Sequence, residues 1–269
     1  MVKKRTWSTI YLLCVFAVLY LPIFYLMFYS FNKAGNMTHF TGFTFDWYQE
    51  VFSDKRLIVI VIDTVIVALL SSVLSTVLGV FGALAIYLTK RRQYKNMLLS
   101  LNNILMVSPD VIIGASFLIL FTLIGIKLGF ISVLLAHIAF SVPIVVLMVL
   151  PKLQEMSPTL IDAARDLGAK RLDVLLKVVI PFITPGIFAG FFMALTYSLD
   201  DFAVTFFVTG NGFSTLSVEI YSRARQGISM SINALSTLIF LITLAIVLVY
   251  YFSSRGMGKV KHLPGGEDA

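Results

Sequence analysis

Charge is scarce in this chain. Only 13% of its 269 residues are Asp, Glu, Lys or Arg, whereas a soluble domain carries about 25%. With 58% hydrophobic residues and a mean hydropathy of +0.92, too little polar surface remains to cover a soluble globule. A lipid bilayer needs no such cover. Cysteine is nearly missing. Cys14, the single one, lies inside the first apolar run, which excludes an intrachain disulfide and reads as a small apolar residue. The three histidines, His39, His137 and His262, are far apart and form no H-E-x-x-H arrangement, and no G-x-S-x-G elbow occurs. No G-x-x-x-x-G-K-[ST] phosphate loop is present, so ATP is not bound in that way. Repeats, low-complexity tracts and flexible linkers are absent as well, and the length fits one helical membrane domain, 1–269.

What is there is apolar runs. A membrane span takes about 20 mostly apolar residues. Six runs qualify, at about 8–31, 57–89, 101–125, 129–150, 179–208 and 232–252, which predicts an all-α integral membrane protein with six transmembrane helices. The first follows Lys3, Lys4 and Arg5, but it exceeds a signal-peptide core of about 7–15 residues and no Ala-x-Ala-like site ends it, so it reads as a retained span. The second and fifth runs exceed what a bilayer needs and are expected to tilt or protrude.

The net charge of +7 is not gathered on one face with stacking aromatics, which speaks against nucleic acid. It sits in short groups between the runs. With a cytoplasmic N-terminus, 15 of the 21 basic residues fall on one side and 6 on the other. The positive-inside rule then places both termini in the cytoplasm, and the Lys-rich inner loops fit a bacterial plasma membrane. Two long outer segments follow, 32–56 with Trp47 and Tyr48, and 209–231, where Thr209-Gly210-Asn211-Gly212 reads as a turn. The tail from Lys259 to Ala269 is polar and is expected to be mobile.

Residues 151–178, between the fourth and fifth runs, are polar enough to leave the membrane yet built as helix. Ser157 suits an N-cap, Pro158 the first helical position and Gly168 the stop. Leu160, Ile161, Ala164 and Leu167 form one apolar stripe. The rod from Pro158 to Leu167 is about 15 Å long. Ala163 and Ala164 have almost no side chain and permit close approach to another protein. Physics alone leaves docking and an interfacial helix on lipid equally open.

Asp162-Ala163-Ala164, Gly168 four positions after the second Ala, and Val178-x-Ile180-Pro181 together resemble the EAA loop of ABC importer permeases, with Asp162 in place of the usual Glu. The six-span layout also resembles the type I importers over nearly the whole chain. The resemblance implies a coupling helix within 157–171 that docks on a separate ATPase. Asp162, Ala163, Ala164, Gly168 and Pro181 would carry the coupling. ATP and Mg would be bound by that partner, and no cofactor by this chain.

Carboxylates within apolar runs cost about 2.5–3.5 kcal/mol each on insertion scales and so point to function. Asp63, Asp110, Asp200 and Asp201 qualify. Asp63 lies early in its run and reads as solvated or capping. Asp110 is placed about 15 Å along the third span, where Pro109 is expected to kink the helix; it serves either a cation path or a structural hydrogen bond. Asp200 and Asp201 point about 100° apart on a helix, so one faces a path while the other faces a neighbour, unless both close a helix end at the surface. No Lys or Arg accompanies these central acids in sequence, which favours cationic cargo. Trp47, Tyr48 or Tyr197 would add cation–π attraction, although Trp47 reads equally as an interfacial anchor. His137 reads as a helix-packing hydrogen-bond partner.

Ser198-Leu199-Asp200-Asp201-Phe202, Phe207-Val208-Thr209-Gly210, Leu216 to Ser222 and Ile232 to Thr237 resemble the permease subunits of spermidine/putrescine importers. This resemblance implies polyamine cargo moving past Asp110, Ser198, Asp200, Asp201 and Trp47. It implies three kinds of partner: a second, different permease subunit, two copies of one ATPase and an extracytoplasmic binding protein. Related importers carry ferric iron, thiamine or phosphonates. A proton-coupled transporter or a multipass membrane enzyme is the remaining alternative, although a secondary transporter would need more spans in repeated halves.

Overall fold

Sequences that are apolar on every face form helices that bury one stripe against each other and leave the rest to lipid. The computed structural model describes residues 2–227 and 229–257, and the tail from Lys259 and His262 lie outside them. The helices are α1 (Val2–Tyr29), α2 (Asp46–Ser53), α3 (Lys55–Leu88), α4 (Arg92–Val107), α5 (Asp110–Leu123), α6 (Phe130–Glu155), α7 (Pro158–Asp166), α8 (Arg171–Val174), α9 (Ile180–Asp200), α10 (Ala203–Val208), α11 (Leu216–Gln226) and α12 (Met230–Met257). A π-helical turn, Leu175–Val179, joins α8 to α9. Among the described residues there is no strand, only an isolated bridge between Asn32 and Phe43. Four stretches are long and apolar enough to cross a membrane: Thr9–Tyr29, Lys55–Leu88, Phe130–Glu155 and Arg171–Asp200. The pair α4 and α5 adds a fifth if counted as one bent span, and Met230–Ala245 is a shorter apolar stretch.

The chain forms two compact units, one from the two chain ends up to Lys55 and from Arg223, the other from Arg56–Ser222. In the first, α12 packs on α1 and on α2. The loop after α1 is organised by Asn32, fully buried, whose amide donates to the carbonyls of Asn36 and His39 at 2.7 Å each.

In the second unit, α6 and α9 pack along their length, with α3 against α6. Small residues set the approach. A Cβ at Gly79 would stand 2.5 Å from Val145 Cβ, and one at Gly190 3.1 Å from Val145 Cγ1. One cluster gathers Ala83, Val149, Leu153 and Ile183; another gathers Val67, Val133, Ala136, Val204 and Val208, with α10 lying on α5.

Two predicted spans are corrected. The third is not one helix over 101–125, because α4 and α5 meet at 103°. Proline at 109 supplies no N–H and forces Ser108 into an extended conformation, φ −70° and ψ 138°, which turns the expected kink into a break. Asp110 therefore opens α5 instead of lying 15 Å along a continuous helix. The fifth, expected over 179–208, starts earlier, at Arg171, and stops at Asp200 before α10 restarts at Ala203. Its π turn has a cause. Pro181 has no N–H for the carbonyl of Lys177, and the Ile180 amide reaches back five residues to Leu175. The two long segments between runs, 32–56 and 209–231, also hold the short helices α2 and α11, while Thr209 to Gly212 is a turn with φ +66° at Gly210 and +90° at Gly212.

Candidate functional site: an acidic face and a loop helix

The stripe of α9 that packs inward is Ile183, Gly186, Gly190, Ala194 and Ser198, a spacing of three to four. Tyr197 and Asp200 fall outside it and are exposed, three residues apart and so neighbours on one face. The break at Pro109 brings Asp110 to this face. The Tyr197 hydroxyl donates to Asp110 Oδ1 at 3.4 Å, a long bond, and its ring stands edge-on to Phe140 at 5.3 Å. As the first residue of α5, Asp110 also lies at the positive end of the helix dipole. Among the described residues neither Asp110 nor Asp200 forms an ion pair with Lys or Arg.

Ser198 and Asp201, also expected on the path, turn inward. Ser198 is 2% exposed and lies 2.6 Å from His137 Nδ1 and 3.0 Å from the Ser71 hydroxyl. Asp201 closes the gap between α9 and α10. Its carboxylate accepts from the Val204 amide at 3.3 Å, the Thr205 amide at 2.8 Å and the Thr205 hydroxyl at 2.6 Å, so it caps α10. His137, completely buried, also holds Thr205 through Nε2 at 2.8 Å. The two adjacent acids thus part as helical geometry requires, Asp200 outward and Asp201 inward, and His137 is the packing partner its position suggested. Asp63 is half-buried on α3.

Trp47 belongs to the other compact unit. Its indole N–H donates to the Asn32 carbonyl at 2.8 Å and its ring covers Gly35. It holds the loop after α1.

The loop helix α7 begins after Ser157 and is followed by Gly168 at φ +83°. The Gly168 amide donates to the Arg165 carbonyl at 2.8 Å and the Ala169 amide to the Ala164 carbonyl at 3.0 Å, the Schellman closure. Ser157 occupies the N-cap position, but its hydroxyl pairs with Thr159 at 2.7 Å and bonds no helix amide. The expected single apolar stripe is split. Ile161 and Ala164 pack on the core cluster, whereas Leu160 is 45% and Leu167 89% exposed. Asp162, Ala163 and Gly168 are exposed beside them, and Pro181 is exposed on α9. A cavity of about 360 Å3 behind α7 is lined by Tyr87, Leu153, Met156, Ile161, Arg165 and Arg171 among others.

The family described as "Binding-protein-dependent transport system inner membrane component" matches residues 75–257. The chain belongs to this family. It is a permease of the ABC importer class, a transport subunit and not an enzyme, whose ATPase is a separate subunit. Similar curated proteins include the spermidine/putrescine transport system permease protein PotC of Haemophilus influenzae, 34% identical over 91% of this chain and 95% of that one. PotC of Escherichia coli K12 is 33% identical over 93% and 94%. The putrescine transport system permease protein PotI of the same strain is 32% identical over 88% and 87%. Among solved structures, a chain of a bacterial alginate ABC transporter, in complex with an alginate pentasaccharide-bound periplasmic protein, superposes with a TM-score of 0.70. It has 18% identity, and the match covers 96% of this permease and 97% of that chain. A chain of the MetNI methionine ABC transporter gives 0.61 at 17% identity, over 77% and 100%. These two likenesses show the type of fold.

Proposed function

We propose that this chain is the permease subunit of an ATP-driven importer of spermidine and putrescine. The observation that carries the cargo reading is the exposed face of Tyr197 and Asp200 with the Asp110 carboxylate bonded to it, two acids that form no ion pair with Lys or Arg among the described residues. A polyamine supplies ammonium groups at intervals along a flexible chain. Carboxylates set on separate helix ends match that better than a single buried acid. Tyr197 adds an aromatic face for a cation. Ser198 and Asp201 shape this face from behind, and Trp47 acts through the loop it anchors. The relatives named for spermidine and putrescine support the same cargo.

The whole chain then works as one permease domain. Six spans carry it, with α4 and α5 as one bent span and α12 as the last, and both termini are cytoplasmic in a bacterial inner membrane. The segment 151–178 is the coupling segment. Its helix α7 docks on one of two ATPase copies through Leu160, Ala163, Leu167 and the acid of Asp162. A second, different permease subunit completes the pathway and an extracytoplasmic binding protein delivers the cargo. ATP and Mg belong to the ATPase. Nucleotide-driven closure of the ATPases moves the docked helices and rocks the spans between inward and outward openings.

Uptake of labelled spermidine by cells whose own importer is deleted tests this. Asp110→Asn and Asp200→Asn each lower uptake by about tenfold or more, as loss of a charge contact in the path does, with the protein present in the membrane at wild-type level. Normal uptake in both variants overturns the cargo path, and competition by an unrelated solute but not by putrescine overturns the polyamine assignment.

A further inference from the structure

A histidine with no exposed surface sits beside the only interruption between α9 and α10. His137 comes from α6 and touches both sides of that interruption. Its Nδ1 is 2.6 Å from Ser198 in the last turn of α9, and its Nε2 is 2.8 Å from Thr205 in the first turns of α10. Nε2 is also 3.6 Å from Asp201 Oδ2. The direction of the bonds at Thr205 can be worked out. An ionised Asp201 only accepts, so the Thr205 hydroxyl gives its hydrogen to Oδ2. Thr205 Oγ1 then accepts from His137 Nε2–H, and Nδ1 pairs with the Ser198 hydroxyl on the other side of the ring. The Ser198 hydroxyl also lies 3.0 Å from that of Ser71, which is itself 3.2 Å from the Ala68 carbonyl. Ser71, Ser198, His137, Thr205 and Asp201 thus form one connected chain of polar contacts, and four helices, α3, α6, α9 and α10, are tied through one ring.

That ring also reaches the exposed face by packing. Phe140, one turn along α6, is 4.9 Å from the imidazole and 5.3 Å from Tyr197, which bonds Asp110. Asp200 itself immediately precedes the capping residue Asp201. We propose that His137 is a positioning residue for transport: by stapling the α9–α10 break it fixes the direction of Asp200 and the seat of Tyr197, and so sets the spacing of the acids that meet the cargo. The proposal rests on the polyamine-path reading above. Buried polar networks of this kind specify one arrangement because any partly satisfied alternative is costly.

The test uses the complete importer in cells, with labelled spermidine as the probe. His137→Leu keeps the bulk and removes both bonds. It raises the spermidine concentration for half-maximal uptake several-fold. In an Asp200→Asn background it adds much less than it does alone, because part of its effect passes through that acid. A merely structural residue would multiply with Asp200→Asn, and that result overturns the proposal. Should His137→Leu not assemble, Thr205→Val removes the same link and Thr205→Ser restores it; equal uptake in these two variants also overturns the proposal. A second measurement separates this from failure of the cargo reading. With Cys14→Ser as background, Asp200→Cys is labelled by a charged maleimide, and adding His137→Leu changes the labelling rate several-fold. An unchanged rate overturns the positioning role, whereas normal uptake by Asp200→Asn overturns the cargo path beneath it.

Discussion

At the scale of single residues, the fold depends on where side chains are missing. Gly79 of α3 faces Val145 of α6 so closely that a Cβ would stand 2.5 Å from its Cβ and 3.2 Å from the Val142 carbonyl. Neither a β-branched side chain fixed in a helix nor a backbone carbonyl moves away cheaply. Gly79→Ala is therefore overpacking, with an expected cost of about 1–3 kcal/mol. Gly125 is the control. It has φ +75° and nothing within 4 Å of a Cβ, so Gly125→Ala meets only left-handed backbone strain of about 1–2 kcal/mol in a turn. Measured as the midpoint of thermal aggregation of the detergent-purified complex, Gly79→Ala is expected to fall further than Gly125→Ala. Equal shifts would mean that α3 and α6 are not held at this distance. The same scale governs the acids. A one-residue step along a helix turns a side chain by about 100°, and this separates Asp200 on the surface from Asp201 at the α10 cap. That division was legible from two adjacent letters. The inward turn of Ser198 was not, because the partner that receives it, His137, is 61 positions away.

At the scale of elements, α7 shows how a short helix stays defined outside the core. Nine residues are too few for a stable isolated helix. Two features compensate: Ile161 and Ala164 seated on the core cluster, and the Schellman closure at Gly168. Both ends were readable from Ser157-Pro158 and Gly168, the stop because its closure is local and the start because proline suits the first helical position, although the Ser157 hydroxyl bonds no helix amide. Which apolar residues would face inward was not, because Leu160, Ile161, Ala164 and Leu167 satisfy one helical spacing and only the tertiary seat chooses among them. Leu167, 89% exposed, and Leu160, 45% exposed, are left for something outside this chain. Leu160→Asp and Leu167→Asp together put charge on that surface without touching the seat. The expected result is loss of the co-purifying ATPase and of spermidine uptake, with the permease still present in the membrane at the wild-type level. Retention of the ATPase would return α7 to the alternative of a helix lying on lipid. The third and fifth spans mark the limit of periodicity. Apolar runs pass unbroken through Ser108-Pro109 and through Asp201-Phe202, and the breaks there come from proline and from an aspartate cap, features that hydropathy does not register.

At the scale of the molecule, the distribution of basic residues and the ion pairs within each unit bear on the same question. The six basic residues on the minority side include Arg223, bonded to Asp54 at 2.9 Å within the first unit, and Arg56, bonded to the buried Glu219 at 3.2 Å within the second. These two have acids of their own, whereas the loop with Lys170 and Arg171 shows no ion pair to either among the described residues. The helical class was legible from composition, because lipid imposes it. The packing of α6 on α9 was not, because small residues at interfaces do not raise hydropathy. Orientation follows as a prediction. In a cysteine-free Cys14→Ser background, single cysteines at Ser157, before α7, and at Gly212, in the turn after α10, are separated by the span α9 and by α10. They must lie on opposite faces if the six-span reading holds. A membrane-impermeant maleimide added to intact cells is expected to label Gly212→Cys and to spare Ser157→Cys, which reacts once the membrane is opened. Labelling of Ser157→Cys from outside would put α7 on the side that holds no ATP, and a helix there has no nucleotide cycle to couple to transport.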